Sequence, residues 1–149
     1  MARRLQYRKE NPAVFEIMVA LESSTAKLGL ERNLYELIKL RASQINGCAF
    51  CTNMHWQELR RSGETEARLS MLTCYKESGR FTERECAALD LTEAVTLISN
   101  GGVSDALYER VLEHFSPTEY VALVMAINTI NAWNRIAIST LLEPTSVSD

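Results

Sequence analysis

The sequence of 149 residues lacks three features that would point directly to a membrane, an export pathway or a nucleic acid. No apolar run approaches the roughly 20 residues that a membrane-spanning helix needs. Residues 1–30 contain no continuous apolar core of a secretory signal. The formal net charge is only −3, so the charge balance gives no reason to expect a nucleic-acid partner. We therefore expect a cytoplasmic protein that binds neither membrane nor nucleic acid.

Strand-like alternation of useful length and internal repeats are also missing. Apolar residues recur instead at helical spacing along almost the whole chain, and this pattern is typical of an all-α protein. The composition, 46% hydrophobic and 23% charged, is ordinary for a globular domain. We predict one all-α domain over residues 1–149, a helical bundle of about six to seven helices, with residues 143–149 as a flexible tail. The basic cluster of Arg3, Arg4, Arg8 and Lys9 is interpreted as a solvated arm.

Two sequence signals predict helix starts with particular clarity. Thr82 with Glu85, and Ser116 with Glu119, have the spacing of a capping box. The last helix, about 117–142, is apolar on more than one face, which predicts burial in the core or against another subunit. We therefore expect a homo-oligomer.

The segment INGCAFCTNMH, residues 45–55, carries the most informative pattern. Asn46-Gly47 predicts the end of one helix, so Cys48 lies near the start of the next, where the helix dipole lowers a thiol pKa. Cys51 follows three residues later, and His55 follows Cys51 by four, on the same helical face. Imidazole titrates near neutral pH, so His55 can exchange a proton with the Cys51 sulfur.

Glu36 is the carboxylate that can orient this histidine. It lies about 15 Å before the predicted turn, and His55 lies about 11 Å after it, so antiparallel helices would bring them to similar levels. Asn33 and Glu36 also have the spacing of an N-cap residue and its N3 partner, so the alternative is that Glu36 only caps its helix. The spacing alone leaves both interpretations open.

Three interpretations of the cysteine pair compete: a redox pair, a metal site, or ordinary core thiols. A structural zinc site needs four ligands, whereas this segment offers three. The remaining candidates are scattered along the sequence and fit core or cap positions better: Cys74, Cys86 and His114. The residue pattern favours redox chemistry, with no metal and no cofactor expected.

Four stretches of this sequence resemble one known family. ELIKLRASQINGCAFCTNMH looks like the signature of the AhpD-like alkylhydroperoxidases, within the carboxymuconolactone decarboxylase superfamily. GETEARL, FTERECAALDLTEAVTLI and INTINAWNRIAI resemble the same family in the expected order, so the likeness covers nearly the whole chain.

The resemblance implies an all-α fold that assembles into trimers or hexamers and reduces organic hydroperoxides. It implies that Cys51 is the peroxidatic cysteine, Cys48 the resolving cysteine, and His55 with Glu36 the proton relay. It further implies an external dithiol reductant, either a lipoyl-bearing or a thioredoxin-like protein. Some members carry a histidine just before the second cysteine, where this sequence has Phe50. A thiol-based redox sensor or disulfide oxidoreductase module with little turnover is the alternative function.

Overall fold

The computed structural model of this protein describes residues 4–144. These residues form nine α-helices, two short 3-10 helices and no strand, which confirms the all-α prediction. Two of the α-helices are single turns of four residues, so the other seven match the predicted number. The α-helices are α1 (Tyr7–Glu10), α2 (Pro12–Thr25), α3 (Arg32–Asn46), α4 (Ala49–Arg61), α5 (Glu66–Ser70), α6 (Tyr75–Ser78), α7 (Glu83–Thr96), α8 (Asp105–Leu112) and α9 (Pro117–Thr140).

Both predicted capping boxes are present. The Thr82 hydroxyl accepts from the Glu85 N–H at 3.2 Å, and the Glu85 carboxylate accepts from the Thr82 N–H at 2.8 Å. Ser116 and Glu119 make the same reciprocal pair at the start of α9. These hydrogen bonds satisfy N–H groups that have no partner within the helix, and they fix where α7 and α9 begin.

The centre of the fold is formed by α3, α7 and α9, which pack against one another. The α9 residues Leu123, Ile127 and Ile130 have no solvent exposure. Helix α9 is long enough to cross a membrane, and an 18-residue stretch of it has a mean hydropathy of 1.3, which is apolar enough. However, half of that stretch is buried inside the fold. The core helix of a globular protein passes the same test.

The region after Thr65 differs from the single helix that its apolar spacing predicts. It divides into α5, a 3-10 helix over Leu72–Cys74, and α6. The breaks allow Leu69, Leu72 and Tyr75 to enter one buried cluster with α3 and α4, where each is at most 2% exposed. Tertiary packing has therefore overridden local periodicity in this region.

The two ends of the described chain meet. The Arg4 N–H donates to the Thr140 carbonyl at 3.3 Å, and α2 packs against both α1 and α9. Helix α1 is absent from the sequence-based prediction. Arg3 and residues 145–149 of the predicted tail lie outside the described residues, whereas Glu143 and Pro144 are exposed and irregular.

Candidate active site

The short link between α3 and α4 positions the two cysteines. Helix α3 ends at Asn46, as predicted, and Gly47 adopts a left-handed conformation with φ of 69°. The N–H groups of Gly47 and Cys48 donate to the Gln44 and Ser43 carbonyls at 3.2 and 2.9 Å. A glycine in this conformation allows the chain to leave α3 and start α4 almost at once.

Cys48 is the N-cap residue of α4. Its sulfur accepts a hydrogen bond from the Cys51 N–H, with a nitrogen–sulfur distance of 3.3 Å. The side chain is buried, and the thiol is free. A sulfur at this position receives the unpaired N–H groups of the first helical turn, which favour its thiolate form.

The two thiols share their protons unequally. A hydrogen bond from the Cys51 thiol, followed by those from the Cys51 and Phe50 N–H groups and the Asn134 amide, outweighs burial and lowers the pKa of Cys48 to about 7. The pKa of Cys51 is raised, first by its hydrogen bond to Cys48, then by burial and by the negative charge on Cys48. The pair therefore holds one negative charge readily and two only with difficulty.

His55 and Glu36 are in direct contact, so Glu36 does more than cap its helix. The His55 Nδ1–H donates to the Glu36 Oε2 at 2.7 Å. The alternative interpretation of Asn33 as an N-cap residue is wrong, because α3 begins at Arg32 and its N-cap residue is Glu31. Glu36 instead projects from the second turn of α3 towards α4.

The protonation of this pair follows from its surroundings. Burial works against ionisation of Glu36, but the hydrogen bond from His55 and the charges of Lys39 and Arg32 outweigh it, so the pKa of Glu36 lies below its usual value. Burial also lowers the pKa of His55, and Glu36 opposes this only in part. A neutral imidazole that donates through Nδ1 keeps Nε2 as an acceptor. This Nε2 is buried and has no hydrogen-bond partner among the described residues.

A cavity of about 370 Å³ lies beside these groups. Cys51, His55 and Glu36 line it, whereas Cys48 does not. The remaining lining is mostly apolar, with four charged residues: Tyr7, Arg8, Phe15, Val19, Glu22, Lys39, Phe50, Met54, Glu58, Trp133, Ala137 and Leu142. The cavity therefore presents one of the two sulfurs and the histidine to an apolar ligand.

Helices α1 and α2 cover this cavity. The Phe15 ring packs edge to face against Trp133 with 6.3 Å between ring centroids, and the Arg8 guanidinium lies over the Phe15 ring at 4.2 Å. Arg8 therefore belongs to α1 and lies at the rim of the cavity, and it is solvated as predicted. Its own side chain remains exposed.

One further carboxylate is fixed in the cavity wall by three donors. Glu22 accepts hydrogen bonds from the Tyr35 hydroxyl at 2.8 Å, from the Trp133 Nε1–H at 3.2 Å and from the Lys39 ammonium. Lys39 is buried, and Glu22 is its ion-pair partner. These four side chains come from α2, α3 and α9.

Polar side chains behind the cysteines connect α3 to α9. The Asn134 amide donates to the Ser43 hydroxyl at 3.1 Å, and its carbonyl oxygen accepts from the Asn46 amide at 2.8 Å. Asn134 is completely buried. Arg135 is exposed and bonds to the Asn131 carbonyl oxygen, so it does not line the cavity. Of the motif residues of α9, Trp133 lines the cavity and Asn134 supports the sulfurs.

The structure brings Cys51, His55 and Glu36 together on one wall, with Cys48 directly behind. Lys39 and Glu22 are not among the residues predicted from the sequence, although Lys39 lies one turn after Glu36 on the same face of α3. Within residues 4–144, no group of three or more His, Cys, Asp or Glu side chains is arranged to hold a metal ion.

Comparison with known proteins assigns the chain to a family. The sequence model of the Carboxymuconolactone decarboxylase family matches residues 12–94, more than half of the chain. The protein belongs to the carboxymuconolactone decarboxylase family. The match includes all four predicted site residues of this family member.

Two relatives of this family member align over nearly their full length. The uncharacterized protein YdfG of Bacillus subtilis (strain 168) is 45% identical over 139 residues, covering 93% of this chain and 95% of YdfG. A protein of unknown function from Agrobacterium tumefaciens, suggested to be the antioxidant defence protein AhpD, superposes with a TM-score of 0.95. The two are 40% identical, with 98% of this chain and 100% of that chain covered. The AhpD-like resemblance is thereby confirmed.

The fold also occurs in a debrominase. The debrominase Bmp8 superposes with a TM-score of 0.83 at 16% identity, covering 93% of this chain and 74% of that chain. A likeness at this identity shows the fold alone. The fold alone does not determine the reaction of this family member, which depends on its own side chains.

Proposed function

We propose that this protein is a thiol-dependent peroxidase that reduces organic hydroperoxides. Cys51 attacks the peroxide, Cys48 closes the disulfide, and His55 with Glu36 moves the protons. The observation that carries this proposal is the unpartnered Nε2 of His55. It is buried in the same cavity wall as Cys51, and the ring is held by Glu36 through Nδ1.

Cavity access decides which sulfur attacks. Cys48 is the stronger acid of the pair, but it does not line the cavity. His55 accepts the first proton that the pair loses, and the remaining proton lies between the two sulfurs. When that proton is on Cys48, the thiolate is on Cys51 and faces the cavity. The lowered pKa of Cys48 thus describes the pair before it reacts. The thiolate that attacks the peroxide is the one on Cys51.

The reaction then proceeds in two balanced steps. The Cys51 thiolate attacks one oxygen of the O–O bond, a sulfur–oxygen bond forms, and the alkoxide leaves with the electron pair and takes the proton from His55. Cys51 becomes a sulfenic acid. The Cys48 thiol condenses with this sulfenic acid to form a disulfide, and water leaves with the sulfenic oxygen.

An external dithiol restores the resting state by thiol–disulfide exchange. The proposed donors are a lipoyl group or a thioredoxin-like protein, as the resemblance implies. The apolar residues of the wall, including Phe50, Met54 and Trp133, favour a peroxide with a hydrocarbon body over hydrogen peroxide.

Steady-state consumption of cumene hydroperoxide with dithiothreitol tests this proposal. Cys51→Ser should abolish turnover, whereas Cys48→Ser treated with peroxide in the absence of dithiothreitol should stop after one oxidation, at the Cys51 sulfenic acid. Cys74→Ser is the matched control, because this free thiol is exposed and lies outside the cavity. Wild-type turnover in the Cys51→Ser variant would refute the assignment of the attacking sulfur.

A second function, a redox sensor or disulfide oxidoreductase with little peroxidase turnover, is favoured by one observation. Both sulfurs are at most 2% exposed, which restricts access of large oxidants and reductants. Such a protein would form the Cys48–Cys51 disulfide once per equivalent of peroxide and then stop. Steady-state turnover above this single equivalent excludes the sensor.

We further propose a cytoplasmic homo-oligomer, a trimer or a hexamer. Large apolar side chains are exposed on α2 and α9, namely Ile17, Val121 and Ile138. Burial of these side chains in a subunit interface would remove them from water. Light scattering at micromolar concentration tests the assembly, and a monomer would contradict it.

A further inference from the structure

Lys39 is a buried cation inside an apolar cavity wall. It is 4% exposed, and it lies on α3 one turn after Glu36. Burial of a lysine costs free energy unless a counter-charge and hydrogen bonds accompany it. A buried charge at this position therefore calls for an explanation.

Glu22 is the counter-charge, and it is fixed so that the ammonium stays in place. The Tyr35 hydroxyl and the Trp133 Nε1–H occupy one oxygen each of the Glu22 carboxylate. The Lys39 ammonium bonds to the Glu22 oxygen that also accepts from Tyr35. The carboxylate is therefore anchored from two further helices, and the ammonium is held beside the cavity.

The charges around the cysteine pair show why this cation matters. The cavity wall contains three carboxylates and two basic side chains. Arg8 is exposed, and Glu58 is paired with Arg32 and Arg61. The other titratable groups that line the cavity with Cys51 are Arg8 from α1, Glu22 from α2, Glu36 and Lys39 from α3, and His55 and Glu58 from α4. Tyr35 bonds to Glu22, and α9 contributes the uncharged Trp133 and Ala137 to the wall and Asn134 as a donor to Cys48.

We propose that the Lys39 ammonium, anchored by Glu22, stabilises the thiolate form of Cys51, the sulfur that faces the cavity. Lys39 is thus a positioning residue that acts through its charge on the attacking thiolate. This inference rests on the proposed function of the site, because only a reaction in the cavity requires the charge on that sulfur.

Lys39 and Cys51 line the same cavity, whereas Cys48 does not. The positive charge of Lys39 is among the influences that lower the pKa of Cys51. The influences that lower the pKa of Cys48 are hydrogen bonds from Cys51, Asn134 and Phe50. The Cys51 thiol, followed by backbone and amide donors, thus favours a charge on Cys48, whereas the ammonium favours a charge on Cys51.

The test measures alkylation of Cys51 by iodoacetamide, a neutral probe, as a function of pH in a Cys48→Ser background. Serine is a good N-cap residue, so α4 keeps its start. Peptide mass mapping separates Cys51 from Cys74 and Cys86. Lys39→Met should raise the pH of half-maximal reactivity by about one unit and slow alkylation at neutral pH about tenfold. Lys39→Arg should restore most of the rate.

Glu22→Gln distinguishes charge from structure. It leaves the ammonium without its counter-charge, so the pH of half-maximal reactivity should stay the same or fall. An unchanged pH of half-maximal reactivity in Lys39→Met, or an equal rise in all three variants, would overturn the proposal. If Lys39→Met does not fold, the double variant Lys39→Met/Glu22→Gln removes both buried charges, and it should still react at higher pH than Glu22→Gln alone.

This experiment separates the inference from the function on which it rests. Alkylation requires no peroxide, so the effect of Lys39 on Cys51 is measured whether or not the protein is a peroxidase. Failure of wild-type protein to consume cumene hydroperoxide refutes the proposed function. An unaltered alkylation profile in Lys39→Met refutes the role of Lys39.

Discussion

Replacement of Glu36 by glutamine keeps the size of the side chain next to His55 and removes its charge. The 2.7 Å contact between Nδ1 and the carboxylate is a charge-assisted hydrogen bond when the ring accepts a proton. Such bonds contribute about 1.5–3 kcal/mol, against about 0.5–1.5 kcal/mol for a neutral pair. A difference of about 1–1.5 kcal/mol corresponds to a rate loss of about tenfold.

The direction in which the pH–rate profile should move can also be predicted. Glu36 raises the pKa of His55, so its loss should lower that pKa further below the ordinary value. The acidic limb of the rate profile for hydroperoxide reduction should then move to lower pH, while the plateau falls. Stopped-flow consumption of cumene hydroperoxide between pH 5 and pH 9, with circular dichroism as a check of folding, measures both effects.

Glu58→Gln is the matched control. Glu58 is also a carboxylate in the cavity wall, but its hydrogen bonds go to Arg32 and Arg61. Its plateau rate should remain close to that of the wild type. A Glu36→Gln variant with an unchanged plateau, or with an acidic limb displaced to higher pH, would refute the role of Glu36 in the relay.

Three further predictions concern stability. Gly47→Ala should destabilise the fold by about 1–2 kcal/mol in urea titrations, because φ of 69° is unfavourable for a side chain. Leu37→Ala should cost about 2–5 kcal/mol in the same assay, since Leu37 is completely buried. Burial raises the pKa of Glu93, but Arg41 and Lys76 outweigh it, and the pKa is lowered overall. Glu93 therefore stabilises the fold above its unfolded pKa of about 4.3, and this stabilisation is lost as the pH falls through the lower folded pKa. In thermal melts, acidic pH should lower the melting temperature of Glu93→Gln less than that of the wild type. An equal decrease would contradict the prediction.

The sequence predicted the helices whose ends depend on local chemistry. The capping boxes of α7 and α9 and the left-handed Gly47 involve residues at most five apart, so their effect is readable without tertiary structure. The division of the helix after Thr65 was not predictable in this way. It depends on Leu69, Leu72 and Tyr75 reaching a cluster formed by distant helices.

The candidate site also combines contacts between neighbouring parts of the sequence, which were predicted, with contacts between distant parts, which were not. Cys51 and His55 share a face of one helix, and Glu36 follows from the antiparallel arrangement of neighbouring helices. The ion pair of Glu22 with Lys39 joins residues on two helices that are not joined by a tight turn, and its geometry depends on where α2 docks. Periodicity gives no information about that docking, so the buried cation was missed although its position in the sequence was plain.

The cavity is lined by residues from both ends of the described chain: Tyr7 and Arg8 from the beginning, and Leu142 from the end. During synthesis on the ribosome, the cysteine segment emerges long before the residues that complete this enclosure. A nascent or prematurely terminated chain would therefore carry all four reactive groups without a chamber to hold them. We expect peroxide reduction only once Leu142 has docked, because the cavity that holds the peroxide is incomplete until then.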